Sequence, residues 1–83
     1  MYEVIVSNSA RSRIKKLPQR YRKSAIDALE ELKATPLLGK ALTRELRGKF
    51  SFQFGPYRMI YKVNKQDKRV EVLVIRHRKY AYN

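Results

Sequence analysis

Two hydrophobic periods alternate along this chain and divide it into elements. Tyr2, Val4 and Val6 occupy every second position of residues 2–7, a β-branched pattern that predicts a first strand. From Ala10 to Leu17 the period lengthens. Ile14 and Leu17 stand three apart in a basic segment, which predicts a short helix that Asn8 or Ser9 can cap. Pro18 interrupts it and suits the first turn of a second helix, where its missing N–H costs nothing. Over residues 19–34, Tyr21, Ala25, Ala28, Leu29 and Leu32 make one stripe. Arg20, Lys23, Asp27, Glu30 and Glu31 make the opposite face, and Thr35-Pro36 ends the helix.

Residues 36–43 read as a connecting loop, followed by Arg44 to Gly48. Period two then returns. Phe50, Phe52 and Phe54 point one way, and Lys49, Ser51 and Gln53 the other, which makes residues 49–54 the clearest strand in the chain. Gly55-Pro56 marks a turn. Residues 57–63 form the next strand, with Tyr57, Met59, Tyr61 and Val63 sharing a face against Arg58, Ile60 and Lys62. Asn64 to Lys68 is a polar turn. Residues 69–76 are apolar nearly throughout, as expected of a central strand covered on both sides.

The order β-α-α-β-β-β implies an α+β domain spanning residues 1–83. Its helix hairpin packs on one face of a mainly antiparallel four-stranded sheet. The three Phe belong to the core, with base stacking as the alternative use. The opposite face keeps its polar residues. Arg58 neighbours Lys49, Ser51 or Gln53 there and Arg76 arrives at the strand end, so a basic surface is expected.

Charge sharpens this picture. Twenty Lys and Arg against seven Asp and Glu give a net charge of +13 in 83 residues. Seven acids neutralise at most seven bases, so the compact state carries self-repulsion that a polyanionic partner would relieve. At this size only about 60% of the unfolded surface is buried, so the core is thin. There is no cysteine, which excludes disulfides and thiolate chemistry. One histidine is too few for a His-rich metal site, so neither metal nor other cofactor is expected. No signal peptide or membrane-length apolar run is visible, and the expected setting is cytoplasmic, without membrane partners.

The acids are scattered and form no catalytic pair, and there is no Gly-rich phosphate loop. Any catalysis falls to cations, tyrosines and the single histidine. Such a set suits RNA cleavage with the substrate's own 2′-OH as nucleophile, which needs charge stabilisation and proton transfer but no metal. The tail Arg76-His77-Arg78-Lys79-Tyr80-Ala81-Tyr82 is either a solvated basic end or a phosphate clamp with an aromatic that stacks on a base.

Two stretches resemble a known family. Leu46-Arg47-Gly48, Phe50 to Phe54 and Gly55-Pro56-Tyr57-Arg58-Met59-Ile60-Tyr61 resemble the L-x-G … G-x-Y-R-x-x-Y pattern of RelE/ParE-superfamily toxins. Ile75 to Tyr82 resembles the H-R-x-x-x-Y close of the RelE branch. The resemblance covers the whole chain. It implies a toxin of a type II toxin–antitoxin pair, a ribosome-dependent mRNA interferase that cuts A-site mRNA by 2′-OH attack. By the same resemblance Arg58 stabilises the transition state and Arg76 serves the phosphate or the leaving group. Tyr82 orients the substrate or assists proton transfer. Arg47, Ser51, Gln53, His77, Arg78 and Lys79 contact substrate. The two basic residues that RelE members carry before the Tyr-Arg motif fall on Ser51 and Gln53, or on Lys49 and Ser51 in an ungapped register. The general base stays open, with Lys49 its candidate. The implied partners are a RelB-like antitoxin, the ribosome and mRNA.

Two rivals remain on the sequence: a ParE-like DNA gyrase inhibitor without nuclease activity, and a non-catalytic nucleic-acid-binding module. The tail arginine and tyrosine favour the first reading over the ParE branch.

Overall fold

The computed structural model describes residues 1–80, the backbone alone at Tyr80. Its elements are β1 (Glu3–Val6), α1 (Asn8–Lys16), α2 (Gln19–Ala34), β2 (Lys40–Ala41), β3 (Lys49–Phe54), β4 (Tyr57–Asn64) and β5 (Arg69–His77). Single 3₁₀ turns lie at Arg44–Leu46 and Arg78–Tyr80.

One mixed sheet has the order β1-β5-β4-β3-β2. The β3–β4 and β4–β5 hairpins form the expected antiparallel meander, and β1 runs parallel to β5. The sheet has five strands, not four. The additional strand, β2, falls inside the segment that the sequence presents as a loop. Its two residues pair with Ser51 and Phe50, and no alternation announces it. Tertiary contacts hold it: the Gly39 N–H donates to the Tyr61 hydroxyl at 2.8 Å, and the Leu42 N–H to Lys49 O at 2.9 Å.

Helix α1 starts earlier than its apolar spacing suggests, because Ser7 is its cap in place of Asn8 or Ser9. Ser7 is extended, at the end of β1, and its Oγ accepts the Ala10 N–H at 3.0 Å. Pro18 stands at the N-cap of α2, and its carbonyl accepts the N–H groups of Tyr21 and Arg22.

The helices cover one sheet face. Phe50, Phe52 and Phe54 of β3 meet Tyr61, Met59 and Tyr57 of β4, and Val72, Ile75 and His77 of β5 lie beyond them. Tyr61, Leu32, Met59, Val70 and Val72 are the largest fully buried side chains. Each contributes on the order of 1.5–3 kcal/mol by leaving water.

Strict alternation in β5 would send Val70, Val72, Val74 and then Arg76 to the helix face. The ladder shows otherwise. Tyr61 pairs with Val72 and Ile60 with Val74, so Leu73 is an extra residue, a β-bulge. Beyond it Ile75 and His77 face the helices, and Arg76 faces away with Arg58. The run Val72-Leu73-Val74-Ile75 therefore reflects a change of phase and not the burial on both sides that its composition suggests. Ser7 anchors this point: its N–H donates to Val72 O at 3.0 Å and its hydroxyl to Leu73 O at 2.6 Å.

Candidate functional site

The face away from the helices is built in three rows across β3, β4 and β5. The first row is Gln53, Arg58 and Arg76. The second is Ser51, Ile60 and Val74, and the third is Lys49, Lys62 and Glu71. Two residues of strand separate successive rows, roughly 7 Å.

The first row carries the positive charge of interest. Arg58 and Arg76 are direct register partners; Arg58 is half-buried and Arg76 exposed. Like charges directly opposite one another weaken a sheet. A phosphate bound between them would reverse that sign. Gln53 completes the row, exposed, its Nε2 donating to Gly55 O at 3.2 Å. Gly55 holds φ at +59°, which opens the hairpin turn between β3 and β4.

The middle row is closed. Ile60 is 5% and Ser51 3% exposed. Ser51 thus lies on the expected face but beneath its surface, and its hydroxyl makes no hydrogen bond within the described residues. Lys49 lies two rows from the arginines, roughly 13 Å along the strand. It stands half-buried opposite Lys62. Arg47 is exposed beside Gly48, before β3 begins.

The tail residues divide. His77 belongs to the helix face, where its ring stands edge-on to Tyr57 at 5.6 Å and 79°. Its Nδ1 accepts the Lys79 N–H at 3.3 Å. The Arg78 N–H donates to Pro56 O at 2.7 Å and so fastens the tail to the β3–β4 turn. Arg78 and Lys79 are exposed at that end of the sheet. Tyr82 lies outside the described residues.

Structure therefore brings Arg58, Arg76 and Gln53 together, with the Arg78–Lys79 turn near the row's end. It sets Lys49 and Arg47 apart. It also adds residues that periodicity does not single out. A recess of about 330 Å³ beside Arg58 is lined by Lys40, Leu42, Thr43 and Leu46. These come from the loop folded back onto the sheet edge, and only long-range contacts bring them there. Among the described residues no three His, Cys, Asp or Glu side chains gather as a metal-binding group. No helix there is long and apolar enough to cross a membrane.

The profile of the family described as "ParE toxin of type II toxin-antitoxin system, parDE" matches residues 4–82. The chain belongs to this family of type II toxins. Toxin RelG of Mycobacterium tuberculosis is 36% identical to it over 83 residues, covering 98% of this chain and 95% of RelG. Among solved structures, the M. tuberculosis RelBE2 toxin–antitoxin complex superposes with a TM-score of 0.84 at 35% identity, over 92% of this chain and 96% of that one. The archaeal RelE–RelB complex of Pyrococcus horikoshii OT3 gives 0.79 at 22% identity, over 96% and 98%, and shares the fold. The toxin thus falls in the RelE/ParE superfamily that its Tyr-Arg and His-Arg motifs resemble. The Tyr-Arg motif provides Arg58, and the residue just before the His-Arg motif is its register partner, Arg76.

Proposed function

We propose that this toxin is a metal-independent endoribonuclease that cuts mRNA in the ribosomal A site and so inhibits translation. The observation that supports the proposal is the Arg58–Arg76 pair, two arginines at register-partner positions on the sheet face away from the helices. In the proposed reaction the 2′-oxygen attacks the adjacent phosphorus and the bond from phosphorus to the 5′-oxygen breaks. The products are a 2′,3′-cyclic phosphate and a 5′-hydroxyl. Charge builds on the non-bridging oxygens as the phosphorus becomes five-coordinate, and fixed cations there favour the transition state over the ground state. Guanidinium stays protonated, so the arginines stabilise charge and do not accept the 2′-OH proton. That proton needs an acceptor and the leaving oxygen a donor. Tyr82 is assigned to proton transfer, with Lys49 the candidate base, which must reach across the middle row from roughly 13 Å along the strand. Gln53, Arg47, Ser51, His77, Arg78 and Lys79 are assigned to substrate. Ser51 must be uncovered to act, and His77 must act from the helix side of the sheet.

A protein partner follows from the same charge. We assign a RelB-like antitoxin whose acidic, amphipathic segment offsets part of the +13. The M. tuberculosis relative was solved as a toxin–antitoxin complex, which supports this. The proposed site of action, the translating ribosome, is cytoplasmic.

A second reading has one observation in its favour: the matching family profile bears the ParE name. It makes the toxin a DNA gyrase inhibitor that cleaves nothing. Primer extension on a defined mRNA in a purified translation system, with and without ribosomes, tests the first reading. Discrete cuts that require ribosomes are expected. Their absence, together with inhibition in a gyrase supercoiling assay, would transfer the assignment to the second.

A further inference from the structure

A second basic recess lies around the edge of β5 from the arginine pair. Its volume is about 350 Å³, and Ser9, Ser12, Arg13 and Lys16 of α1 line it together with Arg76 and His77. The four α1 residues stand at i, i+3, i+4 and i+7, one face of the helix. Ala10, Ile14 and Leu17 face the core instead. Helix α1 contains no acidic residue, and none lines the recess. Among the described residues Arg13, Lys16 and Arg76 form no ion pair. Three cations converge on one depression that also offers two serine hydroxyls as hydrogen-bond donors. Left empty, this arrangement only adds repulsion.

Arg76 belongs both to this recess and to the Gln53–Arg58–Arg76 row. Positive charge is therefore continuous from the open sheet face, past the end of β5, to α1. We propose that the recess binds a backbone phosphate of the RNA strand next to the phosphate held by Arg58 and Arg76. It would set the strand's path across the protein, and in this it rests on the RNA-cleavage reading. Phosphate contacts of this kind fix register and orientation without reading sequence. The observations favour a regular polyanion over an acidic protein segment, because the recess holds cations and hydroxyls and only one apolar side chain, Ile75, on which a peptide could anchor.

The test is a fluorescence-anisotropy titration of a long, mixed-sequence, all-2′-deoxy oligonucleotide, inert to 2′-OH cleavage, over a range of salt concentrations. A dinucleotide of the same chemistry, with a single phosphate, is the short probe. For a single strand each lost phosphate contact lowers the slope of log affinity against log salt by about 0.7, so Arg13→Ala/Lys16→Ala, which removes the one phosphate contact of the recess, is expected to lower it by about 0.7. Dinucleotide affinity should stay unchanged, and Arg13→Lys/Lys16→Arg should restore the slope. The comparison variant, Lys15→Ala/Lys23→Ala, removes the same charge from exposed positions outside the recess. An equal fall in both double variants would overturn the proposal, because it would show a diffuse field. So would an unchanged slope in Arg13→Ala/Lys16→Ala, or wild-type protein that binds the long probe no better than the short one. A polyglutamate peptide is the third probe; an equal loss of its affinity would reassign the recess to an acidic protein. Absence of ribosome-dependent cuts would sink the cleavage reading and is a separate result, since this titration reads binding alone.

Discussion

Arg58 of β4 and Arg76 of β5 are register partners only because Leu73 is an extra residue in β5. Remove that residue from the count and Arg76 falls on the helix side of the sheet. Such re-aiming of a side chain is a common use of bulges near active sites. If the two guanidiniums act on one phosphate, their effects are coupled. Arg58→Ala and Arg76→Ala should each lower ribosome-dependent cleavage by about 10²–10³-fold, the range for removing one donor to a developing oxyanion. The double variant should lose much less than the product of the two. Single-turnover cleavage of ribosome-bound mRNA checks this, and strictly multiplicative losses would show the arginines act on separate groups.

Ser7 links the cap of α1 to the bulge. Its Oγ accepts from Ala10 N–H and its hydroxyl donates to Leu73 O. Ser7→Ala should cost about 1–2 kcal/mol of stability, the range for losing a side-chain cap. It also frees the bulge carbonyl, so cleavage should fall further than Ser7→Thr allows, since threonine keeps both bonds. Urea unfolding alongside a cleavage assay at a temperature where both variants are folded separates the two effects.

Much of this was legible in the sequence, for reasons particular residues make plain. Phe50, Phe52 and Phe54 alternate with Lys49, Ser51 and Gln53, and that alternation sets both the strand and its buried face. The stripe from Tyr21 to Leu32 sets α2 in the same way. What the sequence hid has no local signal. The two-residue β2 depends on Gly39 meeting Tyr61, twenty-two positions away. The bulge sits in an all-apolar run, where every phase looks alike. The sequence brings Arg76 to the end of the last strand, and only the ladder makes it the partner of Arg58. His77, adjacent in sequence, takes the opposite face for the same reason.

The turn between β3 and β4 offers a sharper stability test. Gly55 has φ +59°, and a Cβ there would stand 2.5 Å from the Tyr21 ring. A side chain is strained in that conformation by about 1–2 kcal/mol before any contact is counted. Gly55→Ala should therefore cost more than Gly48→Ala, whose φ of +89° is also positive but whose Cβ would meet open space. Equal losses in thermal unfolding would mean that Tyr21 moves aside freely. A larger loss at Gly55 that Tyr21→Ala partly relieves would locate the cost in that contact.

Tyr61 gives the fold a pH dependence of known sign. Burial raises its phenol above the ordinary value of 10.0, and the hydrogen bond from Gly39 N–H offsets only part of that rise. In the unfolded chain the phenol ionises near pH 10, while the folded chain keeps it neutral to higher pH. The unfolded state therefore binds fewer protons in that window, and stability must fall as pH rises through it. Below it the contribution is constant. Tyr61→Phe leaves the Gly39 N–H without its acceptor, which should cost about 1–3 kcal/mol at neutral pH. The variant has no phenol to ionise at that position, so its disadvantage against the wild type should shrink above about pH 10. Gly39→Ala keeps the phenol but forces a Cβ to within 2.7 Å of it and 2.8 Å of Ser51 O. It should lose stability at neutral pH and retain an alkaline decline. Urea midpoints of the three proteins at neutral pH and above pH 10 check the argument. A wild-type advantage over Tyr61→Phe that stays constant with pH would mean that the folded chain lets Tyr61 ionise as readily as the unfolded one.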